Sequence, residues 1–171
     1  PHLVKVYRAG LLSTNVPFVA IESLSGTTLK EILARGTPPL AWTWECIDQI
    51  LDALDEAHAH GVIHRDLSPD HVFLCDGKTD PFVKLLGFGL SANVKRPETR
   101  VTGDAAAVVG RRPDYVAPEQ RLGRPADHRA DVFSAGRLLF SMLTGESPSL
   151  GHDETAAFGH LLATVPPRPR H

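Results

Sequence analysis

The pattern of apolar and polar positions changes period several times along the chain, and each change marks an element. Residues 3–7, "LVKVY", alternate with period two and predict a strand followed by a turn at Gly10. Residues 17–24, "PFVAIESL", predict a second, mostly buried strand, so that residues 3–24 form an antiparallel hairpin. "TLKEILARG" carries its own helix boundaries: Thr28 and Glu31 have capping-box spacing, and Gly36 suits a left-handed exit. After "TPP", Trp44, Ile47, Leu51, Leu54 and Ala57 recur at helical spacing and predict a helix over about 41–60, ended by Gly61. Short strands at Val72–Leu74 and Val83–Leu86 flank the turn "CDGKTDP". Residues 91–113 are polar without a period and read as a long loop. "ADVFSAGRLLFSML", residues 130–143, is apolar nearly all round, the pattern of a helix buried inside a domain, and Gly145 closes it. A further helix is expected over Glu154–Ala163, and "PPRPRH" at 166–171 reads as a Pro-rich tail or linker.

Two strands at the start do not make a self-sufficient sheet, so the pattern predicts further strands on the N-terminal side. Position 1 is Pro rather than Met, which gives the same expectation of an excised piece. Composition narrows the class. With 171 residues, 42% hydrophobic and 22% charged, the chain has the material for about one globular domain. A net charge of −2 favours neither nucleic acid nor an anionic membrane as partner. No apolar run approaches the ~20 residues of a membrane span, and "PHLVKVYRAG" lacks the pattern of a signal peptide. Cys46 and Cys75 suggest neither a disulfide framework nor a zinc site, and a cytoplasmic setting is expected.

Chemistry concentrates in four stretches: "HRDLSPDH" at 64–71, "KLLGFGLS" at 84–91, "YVAPEQ" at 115–120 and "DVFSAG" at 131–136. In this order and spacing, and preceded by "IESLSGTTLKEIL", the chain resembles a protein kinase domain of the bacterial Ser/Thr type from about Leu3 to Leu162. The resemblance implies an α+β, protein-kinase-like fold, mainly the helical C-lobe with two N-lobe strands and the hinge. Residues 1–24 would be the remaining N-lobe strands and hinge, 25–165 the C-lobe, and 166–171 the tail. It also implies ATP and Mg2+ as cofactors and a protein substrate or partner. Phosphoryl transfer is chiefly positioning plus charge neutralisation. By the family pattern Asp66 accepts the proton of the incoming hydroxyl. Arg65 pairs with a phosphate on the activation loop, where Thr99 and Thr102 are the candidate sites. His64 and Phe88 are packed members of a structural column, Asp131 holds the catalytic-loop backbone, and Glu119 pairs with an Arg well downstream. Ile21 would be the gatekeeper, with the Glu22 carbonyl and Leu24 amide facing adenine and Phe73 on the apolar floor.

Departures from the pattern bear on activity. His71 stands where the family has an Asn that binds a second magnesium. Ser68 replaces the Lys that steadies the transferring phosphate, and Gly87 replaces the metal-binding acid. Magnesium takes hard oxygen ligands, glycine offers none, and imidazole suits zinc or copper better. Losing both ligands should cost roughly three orders of magnitude in rate. Asp70 and Asp76 are the nearby acids that could substitute, and neither sits at the required position. "GRRPDY" carries Arg111 or Arg112 where the family has a Thr that touches the catalytic acid. No G-x-G-x-x-G or V-A-I-K-like stretch is present, and the family's phosphate loop, its Lys and the partner Glu would precede residue 1. His58, His60 and His64 invite a metal-site reading, but residues i and i+2 on a helix diverge by ~200° and do not face a common ion.

The reading from the sequence is thus a catalytically impaired pseudokinase, a signalling or binding module with possible nucleotide binding. One alternative is an active ATP-dependent protein Ser/Thr kinase with an atypical metal site. The other is a small-molecule phosphotransferase, which "YVAPEQ" and "DVFSAG" disfavour.

Overall fold

A computed structural model describes residues 1–77, 81–88 and 112–148. Thr99, Thr102, Arg111 and the helix expected over 154–163 lie outside these residues. The elements are β1 (Val6–Leu11), β2 (Pro17–Ile21), β3 (Gly26–Thr28), α1 (Leu29–Arg35), α2 (Leu40–Ala59), β4 (Val72–Cys75) and β5 (Val83–Leu85). After them come a 3-10 turn (Pro113–Tyr115), α3 (Pro118–Arg121) and α4 (Arg129–Thr144). The result is an α+β arrangement: an antiparallel β1–β2 hairpin, a second sheet of order β3-β4-β5, and α2 packed against both α4 and β5.

The first strand lies three residues later than the alternation predicts, because residues 2–4 are taken up elsewhere. Leu85 N–H donates to the His2 carbonyl at 2.8 Å and Val4 N–H to the Leu85 carbonyl at 3.1 Å, so this segment runs parallel to β5. Gly10 is therefore not a turn. It pairs with Phe18 inside the hairpin, where an added Cβ would lie 3.2 Å from the Phe18 ring. The turn is Leu12–Val16, closed by Leu12 N–H to the Val16 carbonyl at 2.9 Å with Asn15 at φ 63°. Nor is β2 buried: Val19 is 56% and Ile21 44% exposed, since no layer covers this hairpin among the described residues. No sequence signal marks β3, three residues that pair with β4 and lead straight into α1.

At the start of α1 the capping box forms as expected. Glu31 N–H donates to Thr28 Oγ1 at 3.3 Å, and Thr28 N–H donates to Glu31 Oε2 at 3.0 Å. Gly36 leaves the helix at φ 137°, ψ −176°, an extended glycine conformation and not the left-handed helical one. For α2 the length is right, and the expected face is buried at Ile47, Leu54 and Ala57 but not at Trp44 and Leu51. The buried stripe is Thr43, Cys46, Ile47, Ile50, Ala53, Leu54 and Ala57, while Trp44 (54% exposed) and Leu51 (44%) face outward. The two edges of this face share the helical period, and packing against α4 and β5 buries the edge of Thr43 and Ile50 instead of that of Trp44 and Leu51. α4 likewise buries a single face (Ala130, Asp131, Ser134, Ala135, Leu138, Ser141 and Met142), with Val132 exposed, so it is not buried all round. Gly145 ends it at φ 71°.

Cys46 is enclosed in this core, and burial pushes its thiol up to about 12. Cys75, at the end of β4, is only half-buried, and neither cysteine is in a disulfide. Because the thiolate is the reactive form, a maleimide at pH 7.5 should label Cys75 in the native chain and reach Cys46 only in denaturant. Equal labelling rates for both would contradict the packing of α2.

Candidate active site

The segment between α2 and β4 is positioned by one carboxylate. Asp131 in the first turn of α4 is fully buried. Its Oδ2 accepts from His64 N–H at 2.8 Å and contacts His58 Nε2 at 2.7 Å, and its Oδ1 accepts from Arg65 N–H at 2.8 Å. The Arg65 carbonyl in turn accepts from Gln120 Nε2 of α3 at 2.8 Å. Bonds on both sides hold Arg65 at φ 65°, a left-handed conformation that a non-glycine residue adopts at some cost. The 112–121 segment is itself docked on α4. Ser134 Oγ donates to the Tyr115 carbonyl at 2.7 Å, Tyr115 Oη shares a hydrogen bond with Ser141 Oγ at 2.9 Å, and Arg137 Nε donates to the Asp114 carbonyl at 2.8 Å.

His64 is fully buried and bridges two loops. Its Nε2 bonds the Leu86 carbonyl at 2.8 Å, and its Nδ1 accepts from Asp66 N–H at 3.3 Å. These partners define the neutral tautomer with the proton on Nε2. Burial lowers the ring's pKa to about 4 against the opposing pull of Asp131, and nearby His71 lowers it further. The Phe88 ring lies 4.4 Å from the His64 ring, centroid to centroid. Thus Asp131, His64, Arg65, Asp66, Leu86 and Phe88 form one connected unit.

Asp66 is half-buried at the front of this unit, and His71 stands beside it. His71 Nδ1 donates to the Asp66 carbonyl at 2.6 Å and lies 3.9 Å from Asp66 Oδ2. Ser68 is buried at 3% exposure, with its hydroxyl 3.4 Å from the same nitrogen, so it faces inward. Gly87 sits opposite at φ 86°. Asp70 and Asp76 are engaged elsewhere. Asp70 binds Lys30 Nζ at 2.8 Å and Arg112 Nε. Burial would raise its carboxyl, but these two hydrogen bonds outweigh that and hold it below the usual range. Asp76, just after β4, accepts from Ser25 Oγ at 2.9 Å. Arg112 therefore meets Asp70 and not Asp66. Among the described residues no group of three or more His, Cys, Asp and Glu side chains could hold a metal ion. The residues present do not fit magnesium: one imidazole and one glycine occupy the two expected positions, and the imidazole is already bonded.

At the hinge expected from sequence, Glu22 is turned toward the second sheet. Its Oε1 accepts from Lys84 Nζ at 2.7 Å and from Lys5 N–H at 2.8 Å, and Lys84 Nζ also donates to the Leu3 carbonyl at 3.0 Å. Leu24 is half-buried beside it, and Phe73 is half-buried in β4, where an added Cβ on Gly26 would come within 3.0 Å of its ring. Ile21 lies on the exposed hairpin. Glu119 is half-buried in α3, with Arg124 N–H on its carbonyl at 2.8 Å.

Three partners were not found from sequence. His58 bonds Asp131, and its position four residues after Leu54, beside the buried stripe, could have signalled this. Gln120 and Lys84 act across loops distant in sequence, and nothing local marks them.

The sequence matches the family described as "Protein kinase domain" over residues 1–166. The chain belongs to the protein kinase family. Among similar proteins, the serine/threonine-protein kinase Pkn1 of Myxococcus xanthus is 40% identical over 158 residues, 88% of this chain and 22% of that protein. The serine/threonine-protein kinase PknB of Mycolicibacterium smegmatis is 34% identical over 177 aligned positions, all of this chain and 28% of that protein. This kinase chain thus spans under a third of the length of these relatives. The crystal structure of the Mycobacterium tuberculosis PknI kinase domain, a double mutant, superposes with a TM-score of 0.68 at 23% identity. It covers 87% of this chain and 53% of that one, and shows the shared fold. No helix among the described residues is long and apolar enough to cross a membrane.

Proposed function

We propose that this protein kinase domain is a pseudokinase. It keeps the catalytic-loop scaffold and its base while lacking the magnesium ligands, and it works as a cytoplasmic signalling or binding module for a protein partner. The observation that carries this reading is the pairing of His71 with Gly87: neither offers the oxygen ligand that magnesium takes. Asp70 and Asp76, the acids that could stand in, are bonded to Lys30, Arg112 and Ser25. Residues 1–165 would form the kinase-like unit, with 1–24 as remaining N-lobe strands and hinge. Nucleotide binding without turnover, at Glu22, Leu24 and Phe73, is compatible with it. The intact Asp66, Arg65 and Asp131 arrangement is also what an active Ser/Thr kinase would carry, which sets the controls.

The test is a phosphotransfer assay of the intact protein with ATP and Mg2+ on a general Ser/Thr substrate, comparing wild type with Asp66→Asn. The expected rate lies roughly three orders of magnitude or more below that of an ordinary kinase, at the assay background, so that Asp66→Asn does not change it measurably. Wild-type turnover that disappears in Asp66→Asn overturns the proposal in favour of an active enzyme.

A further inference from the structure

We infer that His71 and Gly87 are a single steric unit: the imidazole fills the room of a side chain at position 87, so divalent-cation binding returns only when both residues are replaced together. A Cβ built on Gly87 would lie 2.9 Å from His71 Cδ2 and 3.2 Å from both Cγ and Nε2. Real Cβ atoms do not approach a ring so closely, so one group must move. The imidazole is poorly placed to yield, because one bond holds its ring and two more fix the backbone that carries it. Nδ1 is bonded to the Asp66 carbonyl, His71 N–H donates to the Ser68 carbonyl at 2.9 Å, and the His71 carbonyl accepts from Leu86 N–H at 2.9 Å. The His64 ring stands 5.7 Å away on another side. Turning the imidazole away from position 87 breaks its bond to the residue that carries the base.

The contact does not follow from turn geometry alone. Gly36, Gly61, Gly77 and Gly123 also have positive φ, and a Cβ at any of them meets nothing within 4 Å. At Gly87 the constraint is double: a φ of 86° that disfavours any side chain, and a neighbour that fills the space. An aspartate introduced there alone would displace His71 and strip the Asp66 carbonyl of its partner. Replacing His71 by the smaller Asn removes the far ring atoms, Nε2 among them, leaves an open amide that can turn from position 87, and adds an amide oxygen. The metal half of this inference rests on the pseudokinase reading above; the steric half does not.

Two measurements separate them. In the first, Tm is compared for wild type, His71→Asn, Gly87→Ala and His71→Asn/Gly87→Ala. The strain from φ is common to both Gly87→Ala variants and cancels. Gly87→Ala is expected to lower Tm at least ~3 °C more in the wild-type background than in the His71→Asn background, on the scale of about 2–4 °C per kcal/mol. Equal drops overturn the steric pairing. If Gly87→Ala is recovered only unfolded, recovery of the double variant as folded protein supports the pairing, and failure of both to fold while His71→Asn folds overturns it. In the second, thermal shift with ATP is measured with Mg2+ and with EDTA for Gly87→Asp and His71→Asn/Gly87→Asp. A magnesium-dependent rise of several degrees is expected in the double variant only. The same rise in Gly87→Asp alone overturns the coupling. Coupled Tm values without any magnesium effect overturn the assignment of these two positions to metal while leaving the steric unit intact.

Discussion

Asp131→Ala lowers the stability of this chain by about 3–5 kcal/mol, the largest loss expected from any single truncation outside the apolar core. The wild-type carboxylate is fully buried and receives the backbone N–H groups of His64 and Arg65 as well as the His58 ring. Alanine leaves these groups with neither acceptor nor water, and each buried unmet donor costs about 1–3 kcal/mol. Arg65 is also released from its left-handed conformation, so the loop carrying Asp66 relaxes as stability falls. Urea titration of wild type and variant measures the difference, and in a thermal scan it corresponds to a Tm drop of about 10 °C. Asp131→Asn keeps the shape and one acceptor oxygen, so it should lose less than Asp131→Ala. A loss under about 1 kcal/mol for Asp131→Ala would show that the carboxylate does not organise the loop.

Acid weakens the fold through His64. The ring's pKa is about 4 in the folded chain, against an ordinary value of 6.5, chiefly because burial disfavours the imidazolium. The sign follows from proton counting. Between pH 6.5 and 4 the unfolded chain binds a proton at this residue and the folded chain does not, so unfolding gains as pH falls. The stabilisation is fully present above pH 6.5 and is lost progressively toward pH 4, a total of about 3 kcal/mol. The neighbours that set this balance are Asp131, which favours the imidazolium, and His71, which opposes it. Protonation would also remove the acceptor that Nδ1 offers to Asp66 N–H, so Asp66 is the first neighbour to feel the change. His64→Phe lacks the titration. Its urea midpoint should change less between about pH 7 and pH 5 than that of wild type, even though its stability at neutral pH is lower. Parallel declines in the two proteins would assign the acid sensitivity to other groups.

The fold was legible in sequence wherever a local rule acts alone. Thr28 and Glu31 form their capping box because both partners lie within one turn. Helices α1, α2 and α4 lie within a residue or two of their expected ends, because Gly36, Gly61 and Gly145 end them through backbone freedom that belongs to glycine itself. Legibility failed where a distant partner chose between equal local options. Residues 2–4 begin the same alternating stretch as the hairpin strand, yet they bond β5. Ile47, Leu54 and Ala57 of the expected α2 face are buried, but Trp44 and Leu51 match the helical period as well as Thr43 and Ile50 do, and α4 and β5 bury the latter edge.

The same division runs through the candidate site. Four ordered motifs, their spacing and the substitutions at Ser68, His71 and Gly87 could be read from the letters alone, because residue identity decides which side chains can offer an oxygen or accept a proton. The family resemblance had already placed Asp131 on the catalytic-loop backbone; only the tertiary structure decided that it also takes His58, that Arg112 meets Asp70, and that Glu22 is tied to Lys84. These bonds join residues from 42 to 73 positions apart. The structure alone revealed that the imidazole at 71 and the bare α-carbon at 87 fill one space between them. Excluded volume, unlike residue identity, has no expression along a one-dimensional chain.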